Sequence, residues 1–167
     1  YFLSEKLKIN VNKIESFVLG GHGDTMVAML NHTKVEGEPI QKLIDDGKLS
    51  KLDLEKLVER TKKGGAEIVK YLEKGSAFYA PAAAGVEMAE SYLKDLKKEL
   101  PCAAYLDGEY NVKDIYAGVP VIIGKNGVEK VVEIKLSPIE KEQFDKSIKA
   151  VQELFNAAIK IDKNLEK

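Results

Sequence analysis

The sequence predicts an α+β fold in which an antiparallel sheet packs with long helices. Three observations carry that prediction. Strand-like runs at 102–106, 118–123 and 128–134 are separated by Asp107-Gly108 and Asn126-Gly127, both hairpin-turn dipeptides. Helical periodicity runs from Leu54 to Leu72 and resumes after Pro81. Ser137-Pro138-Ile139-Glu140 then places a capping serine, a first-turn proline and a third-position acid in the order that opens a helix.

Taken in order, residues 1–8 read as the end of a helix with Phe2, Leu3 and Leu7 on one face. A strand over 15–19 follows and stops at Gly20-Gly21. The apolar run 26–30 is a second strand or an extended buried segment. Thr33-Lys34-Val35 is a short strand that gives way to the loop Glu36-Gly37-Glu38-Pro39. Ser50, with Asp53 three residues on, caps a helix whose apolar positions are Leu54, Leu57, Val58, Ala66, Ile68, Val69 and Leu72. Gly64-Gly65 falls inside it. Each glycine costs about 1 kcal/mol relative to alanine, so a kink or close packing is expected there. The segment 75–81 breaks the pattern. Pro81 then opens another helix, with Ala84, Met88, Ala89, Tyr92 and Leu96 on its apolar stripe and Lys94, Lys97 and Lys98 near its C-terminus. At Pro101 the texture changes to strand, and an antiparallel meander runs to Ile134. The last helix carries Phe144, Ile148, Val151, Phe155 and Ile159 at spacings of three and four. Residues 160–167 are a charged tail expected to fray.

With 167 residues and 44% hydrophobic content, the chain is expected to form a single domain with a proper core. Its formal charge of −1, despite 32% charged residues, describes a mixed surface without the basic footprint of a nucleic-acid binder. No apolar stretch approaches the roughly 18 residues of a membrane span, and no signal-peptide pattern opens the chain. A lone Cys102 excludes an internal disulfide and fits a reducing compartment, so a cytoplasmic location is expected. The chain opens on Tyr1 in what reads as mid-helix, without an initiator methionine, as a piece of a longer protein would. Among 26 basic residues only Arg60 is an arginine, the side chain suited to clamping a carboxylate with two parallel bonds. Its lysine-rich helical surroundings mark it as a solvated charge.

The chemistry concentrates in Gly20-Gly21-His22-Gly23-Asp24-Thr25-Met26-Val27. A histidine at a strand end, between residues without side-chain bulk, is open to a ligand and exchanges a proton near neutral pH. The glycines permit close approach at an entropic cost. Local chemistry leaves two roles open for His22, a structural histidine or a general acid/base. Asp24, two positions on, seldom reaches such a ring in the geometry that fixes its tautomer, so a partner elsewhere is expected. His32 reads as a surface or strand-end residue. Two histidines ten residues apart and one distant cysteine make no metal site. Gly-x-Gly-x-x-Gly and Gly-x-Ser-x-Gly are both absent, which removes a dinucleotide loop and a serine-hydrolase elbow. Tyr92 and Lys94 face apart on a helix and read as a core tyrosine and a solvated lysine.

The segment 17–27 resembles the catalytic-histidine segment of malate dehydrogenases of the lactate-dehydrogenase-like group. Gly64-Gly65-Ala66-Glu67-Ile68-Val69, the run 75–83, Met88-Ala89-Glu90-Ser91-Tyr92-Leu93-Lys94 and the run 112–121 are similar to that group as well, in the same order, from Tyr1 to about Ala158. The resemblance implies the C-terminal, substrate-side domain alone. It implies that the N-terminal Rossmann domain holding NAD lies outside this chain, so no cofactor-binding residue is expected here. The aspartate that orients the histidine and the arginines that bind the substrate would also precede Tyr1. His22 would exchange the proton between malate and oxaloacetate, Ser76 and Ala77 would line the substrate pocket, and Asp24 would anchor the histidine loop. Gly21, Thr25, Met26 and Ala77 stand where lactate dehydrogenases of the superfamily usually differ, which favours malate. Ala28, where proline is common, and Asn31-His32 depart from the pattern and affect only local loop geometry. The resemblance further implies a homo-oligomeric parent, a dimer or tetramer. Apolar surface left bare should make the isolated chain self-associate, and without its cofactor half it is expected to be catalytically silent. The rival expectations are a lactate or other 2-hydroxy-acid dehydrogenase domain, and a stand-alone binding or assembly domain.

Overall fold

The computed structural model describes residues 1–165. In chain order its regular elements begin with helix α1 (Phe2–Leu7) and the short strands β1 (Ile14–Glu15), β2 (Val18–Leu19), β3 (Val27–Ala28), β4 (Lys34–Val35) and β5 (Glu38–Pro39). Helices α2 (Ile40–Asp45), α3 (Lys51–Lys62), α4 (Gly64–Leu72) and α5 (Tyr79–Leu93) follow. Strands β6 (Lys98–Asp107), β7 (Lys113–Gly124) and β8 (Gly127–Val131) and helix α6 (Pro138–Ile161) complete the series. The chain divides into two compact units. One comprises Tyr1–Val18 with Ala28–Pro81, the other Leu19–Val27 with everything from Ala82 onward.

In the first unit, β4 is the centre of a small antiparallel sheet in the order β1-β4-β5. The strand expected over 15–19 is interrupted. Ser16 Oγ hydrogen-bonds Thr33 Oγ1 at 3.0 Å and Phe17 O accepts from Met29 N at 3.1 Å, so Ile14–Glu15 pairs with β4 while Val18–Leu19 pairs with β3. The loop expected at 36–39 tightens enough for Glu38–Pro39 to pair with β4. Helix α2 has no counterpart in the sequence reading. It is six residues long and buries only Ile40 and Leu43, too few repeats for periodicity to stand out. Val35, Ile40, Leu43, Leu49 and Leu54 form the core, with Leu3, Leu7, Ile14 and Leu57 packed on it.

Ser50 caps α3 as expected, its Oγ accepting from Asp53 N at 3.0 Å. The long helical pattern breaks at Lys63 (φ −97°, ψ 5°), so the kink expected at Gly64-Gly65 separates α3 from α4. Arg60 spans that break. Its Nη2 and Nε donate to the two carboxylate oxygens of Glu67 at 2.7 and 3.0 Å, Nη1 donates to Glu5 at 3.2 Å, and its guanidinium lies 4.1 Å from the Phe2 ring centre. The lone arginine is therefore an exposed charge, as expected, and also the hub of an ion-pair cluster. The Glu67 hydrogen bond raises the Arg60 pKa, and Arg60 in turn lowers that of Glu67.

The second unit is built on the expected meander, an antiparallel sheet in the order β6-β7-β8. Lys125-Asn126 form the two-residue turn between paired Gly124 and Gly127, while the Asp107-Gly108 link is widened by a 3-10 turn at Glu109–Asn111. Strand β6 starts at Lys98, opposite Ile123, so Lys98 belongs to the sheet and α5 ends at Leu93. The reason is Ser91. It is fully buried, donates from Oγ to Ile123 O at 2.7 Å and accepts from Lys98 N at 3.2 Å, which ties the helix end to both strands. That choice of face exposes the stripe expected on α5, Tyr92 at 48% and Met88 at 37%.

Strand β8 stops short of Ile134 because Tyr110 takes over the backbone. Its hydroxyl donates to Val132 O at 2.7 Å and accepts from Ile134 N at 3.1 Å. Helix α6 carries the expected capping box, Ser137 with Glu140. Phe144 is fully buried, worth about 1.5–3 kcal/mol for the side chain, and stacks 5.3 Å from Tyr110. Helix α6 persists to Ile161 and Lys163–Leu165 make a 3-10 turn, so most of the expected fraying tail is ordered; its last two residues lie outside the described residues.

Candidate active site

His22 sits in the second unit on the loop that joins β2 to β3, and its side chain is exposed. The loop enters along the free edge of β7. Strand β8 pairs no further along β7 than Val121, and beyond it Gly20 takes the edge in a reciprocal bridge. Gly20 N donates to Gly118 O and Gly118 N to Gly20 O, both at 2.8 Å. The approach is so close that a Cβ on Gly118 would lie 2.7 Å from Gly20 O. One residue on, Gly21 N donates to Ser147 Oγ of α6 at 2.8 Å. Gly20 itself has φ +85°, and a Cβ there would meet Ser147 Oγ at 2.3 Å. Gly20 is thus dictated by contact with α6, and a Cβ on Gly21 would come 3.0 Å from Val151 Cγ2 of the same helix, in addition to the openness these glycines give the ring. Past His22 the loop turns back on itself, Met26 N donating to Gly23 O at 3.0 Å.

Asp24 is exposed, and among the described residues it makes no hydrogen bond to the His22 ring. The hydrogen bonds that hold the loop within this unit come from Gly118 and Ser147, and among the described residues Asp24 adds none. Neither Gly118 nor Ser147 was identified from the sequence as serving the histidine. The available signal was Ser147 itself, a polar residue between Phe144 and Val151 on an apolar stripe.

Ser76 and Ala77 belong to the first unit. They follow Gly75 (φ +102°) in the turn before α5, with Ser76 exposed and Ala77 half-buried. The adjoining Phe78 and Tyr79 rings are 4.7 Å apart. His32 closes a 3-10 turn with its ring 6.0 Å from that of Phe17. Cys102 is half-buried against Met88 Sδ at 3.3 Å, and burial pushes its thiol pKa up. Among the described residues no group of three or more His, Cys, Asp and Glu side chains could hold a metal ion, and no helix is long and apolar enough to cross a membrane.

A cavity of about 710 Å³ opens in the second unit, lined by Tyr105, Asp114, Tyr116, Val151, Phe155 and Ile159 among others. His22 is not in its wall, and the lining is mostly apolar.

Comparison with known proteins gives one answer. Residues 1–161 match the family described as lactate/malate dehydrogenase, alpha/beta C-terminal domain. The chain is 60% identical over 166 residues to a malate dehydrogenase of Pelagibacter ubique (strain HTCC1062), covering 99% of this chain and 52% of that protein. Among solved structures it is similar to the malate dehydrogenase of Cryptosporidium parvum, with 43% identity and a TM-score of 0.90 over 92% of this chain and 49% of that one. It is also similar to the lactate dehydrogenase of Eimeria maxima crystallised with NADH and oxamate, with 37% identity and a TM-score of 0.93 over 99% of this chain and 50% of that one. The chain therefore spans about half the length of the relatives it matches.

Proposed function

This chain belongs to the lactate/malate dehydrogenase family as its C-terminal α/β domain, and from that premise we propose that it is the substrate-side half of an NAD-dependent malate dehydrogenase. His22 is its proton-transfer group. It accepts the hydroxyl proton of malate in one direction and returns a proton to the carbonyl oxygen of oxaloacetate in the other. The observation that carries the reading is an exposed His22 on a loop held by Gly118 and Ser147, with no bulk on either side of the ring.

The described residues do not form a dinucleotide cradle. Both three-stranded sheets are antiparallel, and no strand runs through a Gly-x-Gly-x-x-Gly turn into a helix. We assign NAD to residues outside this chain, a reading supported by its matching only about half the length of its relatives, and when bound it supplies the hydride chemistry. The aspartate that orients His22 and the arginines that hold the substrate carboxylates are assigned there too, since Arg60 is engaged with Glu67 and Glu5. Ser76 and Ala77 act as small substrate-contacting residues. The parent is cytoplasmic and a homo-oligomer, and the apolar side chains exposed on α4 and α5, Tyr71 and Val86 among them, support the oligomer. The chain alone turns nothing over.

Malate is preferred to lactate because identity is higher to the malate dehydrogenases, 60%, 44% and 43%, than to the lactate dehydrogenases, 40% and 37%. The TM-score of 0.93 to a lactate dehydrogenase is the observation in favour of the second reading. NADH oxidation by the full-length enzyme separates them. The expected result is a kcat/KM for oxaloacetate well above that for pyruvate, with no turnover by the 167-residue chain. A preference for pyruvate makes the protein a lactate dehydrogenase, and turnover by the chain alone removes the assignment of NAD to outside residues. Inactivity of the full-length enzyme on both acids leaves another 2-hydroxy acid as the substrate.

A further inference from the structure

We infer that Ser147 is a positioning residue for the histidine loop, its Oγ holding the Gly21 amide and thereby setting where the His22 imidazole stands. The inference rests on His22 being the proton-transfer group. Ser147 is 1% exposed and lies on the face of α6 that also carries Phe144 and Val151, where an apolar side chain would otherwise belong. A buried hydroxyl is costly unless it is hydrogen-bonded, and the bond this one makes is to Gly21 N.

The fit is reciprocal. A Cβ on Gly20 would fall 2.3 Å from Ser147 Oγ and 2.8 Å from its Cβ, so the serine fills the space the glycine vacates. A Cβ on Gly21 would come 3.0 Å from Val151 Cγ2, one turn further along the same helix. Two residues before the histidine the loop is held by β7 through Gly118, and one residue before it by α6 through Ser147. The next hydrogen bond along the loop is its own, Met26 to Gly23. Ser147 is thus the last hold the body of this unit has on the chain before His22. Proton transfer requires the ring within hydrogen-bond reach of the substrate hydroxyl, and small misplacements of a reacting group lower the rate steeply.

Two readouts test this. In the 167-residue chain, Ser147→Ala should speed hydrogen exchange at the Gly21 amide, and Ser147→Thr, which keeps the acceptor, should restore protection. In the full-length enzyme, Ser147→Ala should lower kcat for oxaloacetate about tenfold while the KM for NADH stays unchanged, with Ser147→Thr recovering most of the rate. Unaltered Gly21 protection in Ser147→Ala overturns the inference. So does a kcat loss that follows the melting temperature and is not recovered by threonine. Should Ser147→Ala unfold, Ser147→Cys keeps the volume with a weaker acceptor and carries the same comparison. A wild-type enzyme inactive on oxaloacetate contradicts the malate reading, and the exchange experiment still decides the Ser147 assignment.

Discussion

Two glycine-containing turns carry the residues assigned to the substrate, and they are built differently. The turn at 20–23 is held by a reciprocal backbone bridge to Gly118, by Ser147 Oγ, and by packing so tight that side chains at Gly20 and Gly118 would collide with their neighbours. The turn at 75–78 has a positive φ at Gly75 with open space where a Cβ would go, and Ser76 makes no side-chain hydrogen bond among the described residues. The difference teaches that the histidine's place is part of the folding of its own unit. The small-residue turn takes little from its own unit, and its assigned role rests on residue size.

Substitutions can break or sharpen this contrast. The largest stability effect is expected at Gly118→Ala, where the new methyl meets Gly20 O at 2.7 Å. A loss of about 1–3 kcal/mol, read by denaturant melts of the 167-residue chain, is the overpacking expected of a rigid site. A wild-type midpoint would show that the bridge gives easily and that the two turns differ less than their contacts indicate. Next comes Ala77→Thr in the full-length enzyme. It should leave melting unchanged but shift the oxaloacetate-to-pyruvate ratio of kcat/KM toward pyruvate by about tenfold, the scale of a small change in pocket shape. An unchanged ratio would remove Ala77 from the substrate contacts.

Gly75→Ala is expected to cost less than Gly118→Ala, about 1 kcal/mol, because only backbone strain opposes it. Equal losses at the two positions would erase the contrast. The smallest effect belongs to Arg60→Lys, which trades a two-bond clamp on Glu67 for a point charge in an exposed cluster. The Glu67 carboxyl is held below its ordinary pKa by Arg60. The pair's contribution is therefore present above the unfolded-state pKa of the glutamate and lost as the pH falls through the folded one. Melting curves of wild type and Arg60→Lys should differ slightly at neutral pH and converge in acid. A gap that persists in acid would mean the arginine acts through its contact with Phe2 instead.

The sequence made the meander legible because Asn126-Gly127 and the β-branched runs beside it speak locally, and the α6 start legible because a capping box is complete within four residues. The kink at Lys63 was equally local. What stayed hidden depends on contacts distant in sequence. The split of the strand at 15–19 is made by Thr33 and Met29, and the end of β8 by Tyr110. On α5 the periodicity identified an apolar stripe correctly as a pattern, yet the buried position is Ser91, chosen by hydrogen bonds to β6 and β7. At the candidate site, local chemistry picked out His22 from its glycines. Its supports on Gly118 and Ser147 lie about 100 and 126 residues further along the chain, beyond what any local pattern encodes.

The most direct test of the account is the kcat for oxaloacetate reduction by the full-length enzyme carrying His22→Asn. Because the ring is exposed and its loop is held elsewhere, the substitution should leave folding intact and lower kcat by about 10²–10⁴-fold, the loss of a general acid. A folded His22→Asn enzyme that reduces oxaloacetate at the wild-type rate would contradict the assignment of proton transfer to this loop.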